Sequence, residues 1–161
     1  MLETRNSTKV LEASASGRCY CGAIHYEVVG EPEYVAYCHC EDCRKSTGAP
    51  VVAYSVYLDQ KVQFTSGNRK IFESAPGVHR TFCRDCGTPL AYEAEWEGQK
   101  VIGIFVGTLD EPDRFPPEKH SFDIDRISWF DVADRLPRYY QTSKNKNPVR
   151  YGPAVDKDVA K

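Results

Sequence analysis

Hydrophobic and polar residues alternate along several short stretches of this chain. Ile24, Tyr26 and Val28 are separated by His25 and Glu27, and residues 52–58 repeat the same period of two. A period of two is typical of a β-strand with one buried face. Turn residues interrupt these stretches at intervals of about 8 to 12 residues, a spacing that favours small all-β domains. The pattern therefore predicts an all-β fold.

Individual elements follow from local signals. Residues 66–68, Ser-Gly-Asn, lie between two apolar stretches and predict a β-hairpin. Apolar runs predict further strands within residues 100–109 and 126–132. Residues 41–47, EDCRKST, predict a single helical turn, and no long segment has a helical period.

The length of 161 residues predicts one folded domain with a substantial core. We place that domain at residues 17–140, after a flexible N-terminal segment, residues 1–16. Residues 141–161 form a polar C-terminal tail, which we interpret as a solvated extension. An arm that docks on a partner subunit is the alternative for this tail.

Composition and charge exclude some classes of function. The chain is 41% hydrophobic with a formal net charge of −2, so the whole sequence does not favour a nucleic-acid partner. No apolar run approaches the ~20 residues that a membrane span requires. The first residues lack the apolar core of an export signal, so we expect a cytoplasmic protein without a membrane partner.

Seven cysteines occur in closely spaced groups. The groups are Cys19-x-Cys21, Cys38-x-Cys40-x-x-Cys43 and Cys83-x-x-Cys86. An odd count and the absence of an export signal argue against disulfide bonds. Spacings of two and three residues are instead those of metal ligands, and thiolates suit zinc.

Glycines indicate which cysteines share a site. Gly22 follows Cys21 and Gly87 follows Cys86, and glycine lets the backbone turn tightly around a metal. We therefore interpret these two segments as the two halves of one structural zinc site. Its four ligands are Cys19, Cys21, Cys83 and Cys86.

The remaining cysteines, Cys38, Cys40 and Cys43, supply only three ligands. Three protein ligands with one exchangeable position are the pattern of catalytic zinc. If residues 38–40 are extended, His39 points away from the two flanking sulfurs. Since soft sulfur ligands suit a fourth sulfur, this trio predicts thiol chemistry rather than hydrolysis.

Nearby polar residues are candidates for substrate binding. Arg44 and Lys45 are positioned to hold a substrate carboxylate, with pairing to the neighbouring acidic residues as the alternative. His39 is a candidate substrate contact and acid–base group, or a structural hydrogen-bonding residue. His120 lies in a polar loop and is expected to be exposed, and Trp96 is expected to be a core or edge aromatic residue.

The cysteine motifs resemble those of the glutathione-dependent formaldehyde-activating enzyme family and the related centromere protein V family. The matching segments read GRCYCGAIHYEV, YCHCEDCRKSTGAP and RTFCRDCGTPL. The resemblance implies a β-tent-like fold of small antiparallel sheets stabilised by zinc. It also implies one structural and one catalytic zinc per chain, on the two cysteine sets above, and carbon–sulfur lyase activity on glutathione and formaldehyde.

The resulting hypothesis is a zinc-dependent carbon–sulfur lyase that forms or cleaves an S-hydroxymethyl adduct of glutathione or a similar thiol. The alternative is a non-catalytic, zinc-stabilised binding module, in which His39 or His120 closes the second site as a fourth ligand. Redox sensing by the three middle cysteines beside Arg44 is a third interpretation.

Overall fold

The computed structural model describes residues 15–143 and 147–153, and most of its regular structure is β-strand. One α-helix, α1 (Glu41–Thr47), follows the third strand. The strands are β1 (Ala15–Arg18), β2 (His25–Val28), β3 (Tyr34–Cys38), β4 (Val52–Leu58), β5 (Val62–Ser66), β6 (Arg69–Ala75), β7 (Val78–Cys83), β8 (Pro89–Trp96), β9 (Gln99–Phe105), β10 (Lys119–Ser121), β11 (Pro137–Arg138) and β12 (Arg150–Tyr151). The predicted all-β class is confirmed.

The strands form two sheets. The smaller sheet has three antiparallel strands in the order β1-β2-β5. The larger has nine strands in the order β12-β11-β10-β3-β4-β9-β8-β7-β6. All neighbouring strands from β3 to β6 in this order pair antiparallel. Strand β10, in contrast, runs parallel to both β3 and β11.

The larger sheet has a separate apolar core on each face. On β4, Tyr57 joins the core that includes Tyr26 of the smaller sheet. Tyr54 and Val56 point to the other face and join a core that includes Tyr92. This alternation follows from the period of two that the sequence shows in residues 52–58. Each face of the sheet therefore packs against a different part of the chain.

Some predicted elements differ from the structure. Residues 66–68 do not close a hairpin, because β5 pairs with β2 in one sheet and β6 pairs with β7 in the other. Residues 126–132 are not a strand: Arg126 Nη1 donates to the carbonyl oxygens of Ile127 and Phe130, at 3.1 and 3.0 Å, and folds the segment into a turn. Helix α1 has seven residues rather than a single turn.

The ends of the described chain also differ from expectation. Strand β1 begins at Ala15, inside the segment predicted to be flexible. Within the predicted tail, β12 pairs with β11, and Arg150 Nη2 lies 2.7 Å from Asp123 Oδ1. Residues 147–153 are therefore docked on the sheet rather than solvated. The other parts of these two predictions, in residues 1–14, 144–146 and 154–161, lie outside the described residues. In the part of the chain that is described, no helix has the length and apolar character needed to cross a bilayer.

Candidate metal centres and the adjoining cavity

The structure brings the seven cysteines together in two groups. The first contains Cys19, Cys21, Cys83 and Cys86, and the second contains Cys38, Cys40 and Cys43. Within each group all sulfur atoms lie within 4.8 Å of one another. These are the two sets that spacing and glycine placement predict.

The four-cysteine cluster joins the turn after β1 to the turn after β7. The Sγ atoms of Cys19 and Cys21 are 3.5 Å apart, and those of Cys21 and Cys83 are 3.8 Å apart. Four sulfurs around a tetrahedral zinc, with bonds of about 2.3 Å, would lie about 3.8 Å from one another. The sulfur positions therefore fit a zinc ion.

Backbone conformation shapes this cluster. Gly22 and Gly87 have φ values of 76° and 74°, which L-residues with side chains rarely adopt. Each glycine N–H donates to the carbonyl oxygen of the first cysteine of its turn, at 3.0 Å. The first hydrogen bond closes a turn over three residues and the second over four, so the two turns differ in length but share a left-handed glycine directly after the second cysteine.

Hydrogen bonds to sulfur favour the thiolate form of Cys19 and Cys86 in the four-cysteine cluster. The pKa of Cys21 is instead raised to about 12, because its hydrogen bond from the Ala23 backbone is outweighed by the neighbouring sulfurs. The Thr88 hydroxyl lies 3.0 Å from Cys86 Sγ and lowers the pKa of that thiol to about 6. The Ile24 N–H donates to Cys19 Sγ at 3.3 Å. Since metal ligation requires thiolates, these contacts prepare the cluster for a cation.

The three-cysteine cluster is built by the end of β3 and the start of α1. Cys38 is the last residue of β3, Cys40 is the N-cap of α1, and Cys43 lies in its first turn. The Cys43 N–H donates to Cys40 Sγ at 3.3 Å. Cys38 and Cys43 are buried, and Cys40 is half-buried. The short helix therefore returns the third sulfur to the first two.

An arginine that the sequence did not indicate offsets part of the negative charge of the trio. Hydrogen bonds from Cys38 and Cys40, together with the nearby Arg80 guanidinium, lower the pKa of Cys43 to about 3. Arg80 Nη1 lies 3.4 Å from Cys43 Sγ. The pKa of Cys38 is raised, because the same sulfurs cannot all ionise without a cation. The trio thus combines one stabilised thiolate, Cys43, with two thiols whose raised pKa a bound cation would lower, as a metal ligand set requires.

No fourth ligand from the described residues completes the trio. His39 Nε2 lies 2.8 Å from His120 Nδ1 rather than beside the sulfurs. Arg138 Nη1 also donates to His120 Nδ1, at 3.0 Å, so this nitrogen is an acceptor and His39 is the donor. His120 is fully buried, contrary to the expected exposure, and its Nε2 donates to Asp134 Oδ2 at 2.9 Å. Both histidines thus belong to a buried polar network.

A cavity of about 390 Å³ opens onto the trio. Its lining residues include all three cysteines of the trio and five aromatic residues. These are Tyr34, Tyr54, Tyr92, Trp96 and Phe122. Tyr34 stacks on Trp96 with ring centres 6.0 Å apart, and Tyr54 meets Tyr92 edge-on at 5.1 Å. The expected role of Trp96 as a plain core or edge aromatic residue is thus incomplete, since it forms part of the cavity wall.

The tyrosine hydroxyls of this wall stay protonated. Burial raises the pKa of Tyr34, Tyr54 and Tyr92. A neutral hydroxyl is a hydrogen-bond donor as well as an acceptor. The cavity therefore combines sulfur ligands, a guanidinium and hydroxyl donors in an apolar setting.

The three predicted substrate contacts do not line this cavity. Arg44 donates to the carbonyl oxygens of His39 and Asp125, at 3.0 and 3.2 Å, so its guanidinium supports the backbone. Lys45 Nζ pairs with Glu41 Oε1 at 2.6 Å on the exposed side of α1. His39 has no exposed surface. These positions do not fit substrate contacts. They agree with the alternative interpretations, in which Arg44 and Lys45 pair with neighbouring groups and His39 is a structural residue.

Comparison with known proteins agrees with the cysteine motifs. An uncharacterised lyase of Schizosaccharomyces pombe is 34% identical over 76 residues, which cover 47% of this chain and 55% of that protein. The chain thus spans about half the length of this relative. A Halomonas elongata protein named as a glutathione-dependent formaldehyde-activating enzyme is 26% identical over 130 residues, 74% of this chain and 81% of that protein.

A solved structure and a family model also match. The crystal structure of a Rhodobacter sphaeroides protein is 24% identical with a TM-score of 0.49, covering 59% of this chain and 87% of that one. The model of the glutathione-dependent formaldehyde-activating enzyme family matches residues 14–125, which include both cysteine clusters. This chain belongs to the glutathione-dependent formaldehyde-activating enzyme family.

Proposed function

We propose that this protein is a zinc-dependent carbon–sulfur lyase-type enzyme with one structural and one catalytic zinc. Its reaction joins a thiol, glutathione or a similar compound, to an aldehyde such as formaldehyde, or cleaves the resulting S-hydroxymethyl adduct. The observation that carries this proposal is the position of the trio. Cys38, Cys40 and Cys43 face a cavity and have no fourth ligand among the described residues.

Cys38, Cys40 and Cys43 would hold the catalytic zinc ion. A zinc ion bound there would supply an exchangeable position that favours the thiolate form of an incoming thiol. The aromatic wall formed by Tyr34 and Trp96 excludes water from the reacting groups. Holding the thiol and aldehyde together in this cavity lowers the entropic part of the barrier.

In the bond-forming step, the substrate sulfur donates an electron pair to the aldehyde carbon. A carbon–sulfur bond forms, and the π pair of the carbonyl moves to oxygen, which then takes a proton to become a hydroxyl group. The neutral hydroxyls of Tyr54 and Tyr92 and the Arg80 guanidinium line the same cavity as possible donors to this oxygen. Such preorganised donors stabilise developing negative charge. The reverse sequence cleaves the adduct.

The replacement Cys43→Ser tests the proposal. We expect the wild-type protein to hold two zinc ions and to accelerate exchange between free glutathione and its S-hydroxymethyl adduct. The variant is expected to hold one zinc ion and to lose the acceleration, because a serine hydroxyl is a poor zinc ligand. Metal analysis gives the zinc content, and exchange spectroscopy by NMR gives the rate at equilibrium.

The variant must keep its fold for this result to count. Circular dichroism and the urea unfolding midpoint of Cys43→Ser check that condition. A wild-type protein with two zinc ions that accelerates no thiol–aldehyde pair in a panel would contradict the enzyme and favour the binding module. Retained acceleration in Cys43→Ser would contradict the role of the trio.

A further inference from the structure

A second groove lies beside the cavity at the trio. It has a volume of about 540 Å³ and lies between α1 and strands β6 and β7. Asp42 and Arg80 line both the groove and the cavity, so the two spaces share a wall. We call this space the basic groove and define it by Lys45, Lys70, Phe72, Arg80 and Phe82. A molecule with its sulfur at Cys43 can therefore extend into the basic groove past Arg80.

Strand register places four of these side chains on one surface. Lys70 of β6 is opposite Phe82 of β7, and Phe72 is opposite Arg80. Directly opposed residues of an antiparallel pair project from the same face of the sheet. The surface thus alternates two cations with two aromatic rings.

The basic groove and the far side of the cavity carry opposite charge. Three cations line the groove, Lys45, Lys70 and Arg80, against a single carboxylate, Asp42. On the other side, a space of about 530 Å³ shares Tyr34 and Trp96 with the cavity and contains the carboxylates Glu95 and Glu97. An anionic group of a bound thiol is therefore attracted toward the groove and repelled from the opposite side.

Lys70 is the cation of the groove that remains available for a ligand. Lys45 pairs with Glu41, and Arg80 contacts Cys43 and Ser74. Lys70 is exposed and forms no ion pair with any residue in ranges 15–143 and 147–153. Phe72 beside it is 61% exposed, so its ring is accessible to a ligand in the groove.

We propose that the basic groove binds the C-terminal carboxylate of a glutathione-type thiol, with Lys70 as its main charged contact. This inference rests on the proposed function for the position of the sulfur. The carboxylate forms an ion pair with the Lys70 ammonium, while the peptide planes lie against Phe72 and Phe82. Lys70 would then determine which thiols are selected without contacting the reacting atoms.

Glutathione and its glycine monoethyl ester test the groove, since an uncharged ethyl ester replaces the C-terminal carboxylate. Binding to the zinc-loaded protein is measured by isothermal titration calorimetry, without aldehyde. We expect the wild-type protein to bind glutathione roughly twofold to fivefold more tightly than the ester, the range of an exposed ion pair. The preference should shrink as ionic strength rises.

The variant Lys70→Gln completes a thermodynamic cycle with the ester. It should bind glutathione about as weakly as the wild-type protein binds the ester, and its affinity for the ester should not change. Lys100→Gln is the matched control, because Lys100 is an exposed lysine of the same sheet that does not line the groove. This control should keep the full preference for glutathione.

Binding and catalysis fail separately in this design. Equal affinities of the wild-type protein for both ligands, no measurable binding of glutathione, or an undiminished preference in Lys70→Gln would each overturn the groove assignment. A clear preference without any acceleration of the thiol–aldehyde reaction would support the groove and contradict the proposed enzyme. Acceleration of the thiol–aldehyde reaction together with equal affinities for glutathione and the ester would support the proposed enzyme and contradict the groove.

Discussion

Arg80 is a residue whose importance depends on its position in the sheet rather than on its sequence neighbours. Its Nη1 contacts Cys43 Sγ at 3.4 Å, and its Nε contacts Ser74 Oγ at 3.2 Å. The planar guanidinium thus connects the trio to the edge strand β6. A single positive charge in this place offsets part of the negative charge that three thiolates accumulate.

Removing that charge should weaken metal binding at the trio. In Arg80→Met we expect the zinc affinity of the trio to fall about tenfold or more, since residues that contact metal ligands commonly contribute 10–100-fold. Competition with a chromophoric chelator measures this affinity. Arg80→Lys keeps the charge but not both hydrogen bonds and should give an intermediate value. Equal affinity in all three proteins would show that Arg80 does not act on the trio.

At this scale the sequence predicts the grouping of the sulfurs better than their surroundings. Cysteine spacing and the glycines after Cys21 and Cys86 were sufficient to group the seven sulfurs, because these signals are local. The contact of Arg80 with Cys43 depends on strand pairing across 37 residues of chain. Likewise, His39 gave no sequence signal that its partner is His120, which is 81 residues away.

Cys40 has two roles: it caps the first turn of helix α1, and its sulfur belongs to the trio. Cys40 is the N-cap, and its sulfur accepts the N–H of Cys43. Serine is a common N-cap residue but a poor zinc ligand, whereas alanine serves neither purpose. The two functions of Cys40 can therefore be separated by substitution.

Cys40→Ser and Cys40→Ala form a matched pair. Both should lose the zinc ion of the trio, which metal analysis measures. Cys40→Ala should also be less stable than Cys40→Ser by about 1 kcal/mol, the usual contribution of an N-cap hydrogen bond. Urea unfolding of the two variants gives this difference, and equal stability would contradict the capping role.

Strands β8 and β9 position the aromatic wall through a glycine. Gly103 is opposite Tyr92, and a methyl group at Gly103 would overlap the tyrosine ring. We expect Gly103→Ala to displace Tyr92 and to reduce the free energy of unfolding by about 1 to 3 kcal/mol, the usual cost of overpacking. It should also raise KM for the thiol, because Tyr92 lines the cavity.

Gly107→Ala is the control for this substitution. A methyl group at Gly107 meets no atom within 4 Å, and the residue lies outside the cavity. Its stability and KM should stay near wild-type values. If both variants behaved alike, the close approach of Gly103 to Tyr92 would not explain the effect.

Elements were predictable from the sequence where burial has a clear period, and unpredictable where pairing is non-local. The alternation in residues 52–58 predicts β4, which has one face in each core. The turn at 66–68 has the composition of a hairpin, yet its two strands join different sheets. Local turn chemistry sets the bend of the chain but does not choose the partner strand.

At the scale of the whole molecule, a buried arginine joins the last described segments to the sheet. Arg138 is fully buried, and its Nη1 lies 3.0 Å from Asp131 Oδ1. Its Nη2 lies 3.4 Å from Asp134 Oδ1, and its Nε donates to the carbonyl oxygen of Gly152. The network explains why residues 147–153 are docked, which a polar tail sequence does not indicate.

Arg138→Met should be strongly destabilising. The substitution removes the fully buried arginine of this network, although Arg126 and Arg150 remain 3.7 Å from Asp131, and loss of one partner of a buried ion pair costs about 3 to 5 kcal/mol. Urea unfolding measures the change. The exposed Arg135 provides the control, since Arg135→Met should change stability by no more than about 0.5 kcal/mol. Similar effects of the two substitutions would contradict the network.

The compactness of the trio has an evolutionary consequence. All three sulfurs come from residues 38–43, whereas the surfaces around them come from β4, β6, β7 and β8. The sulfurs of the trio and the groove side chains of β6 are thus encoded in separate stretches of the gene. A library that randomises positions on β6 while leaving residues 38–43, Arg80 and Tyr92 intact should therefore yield descendants with the proposed reaction and new preferences among mercaptans.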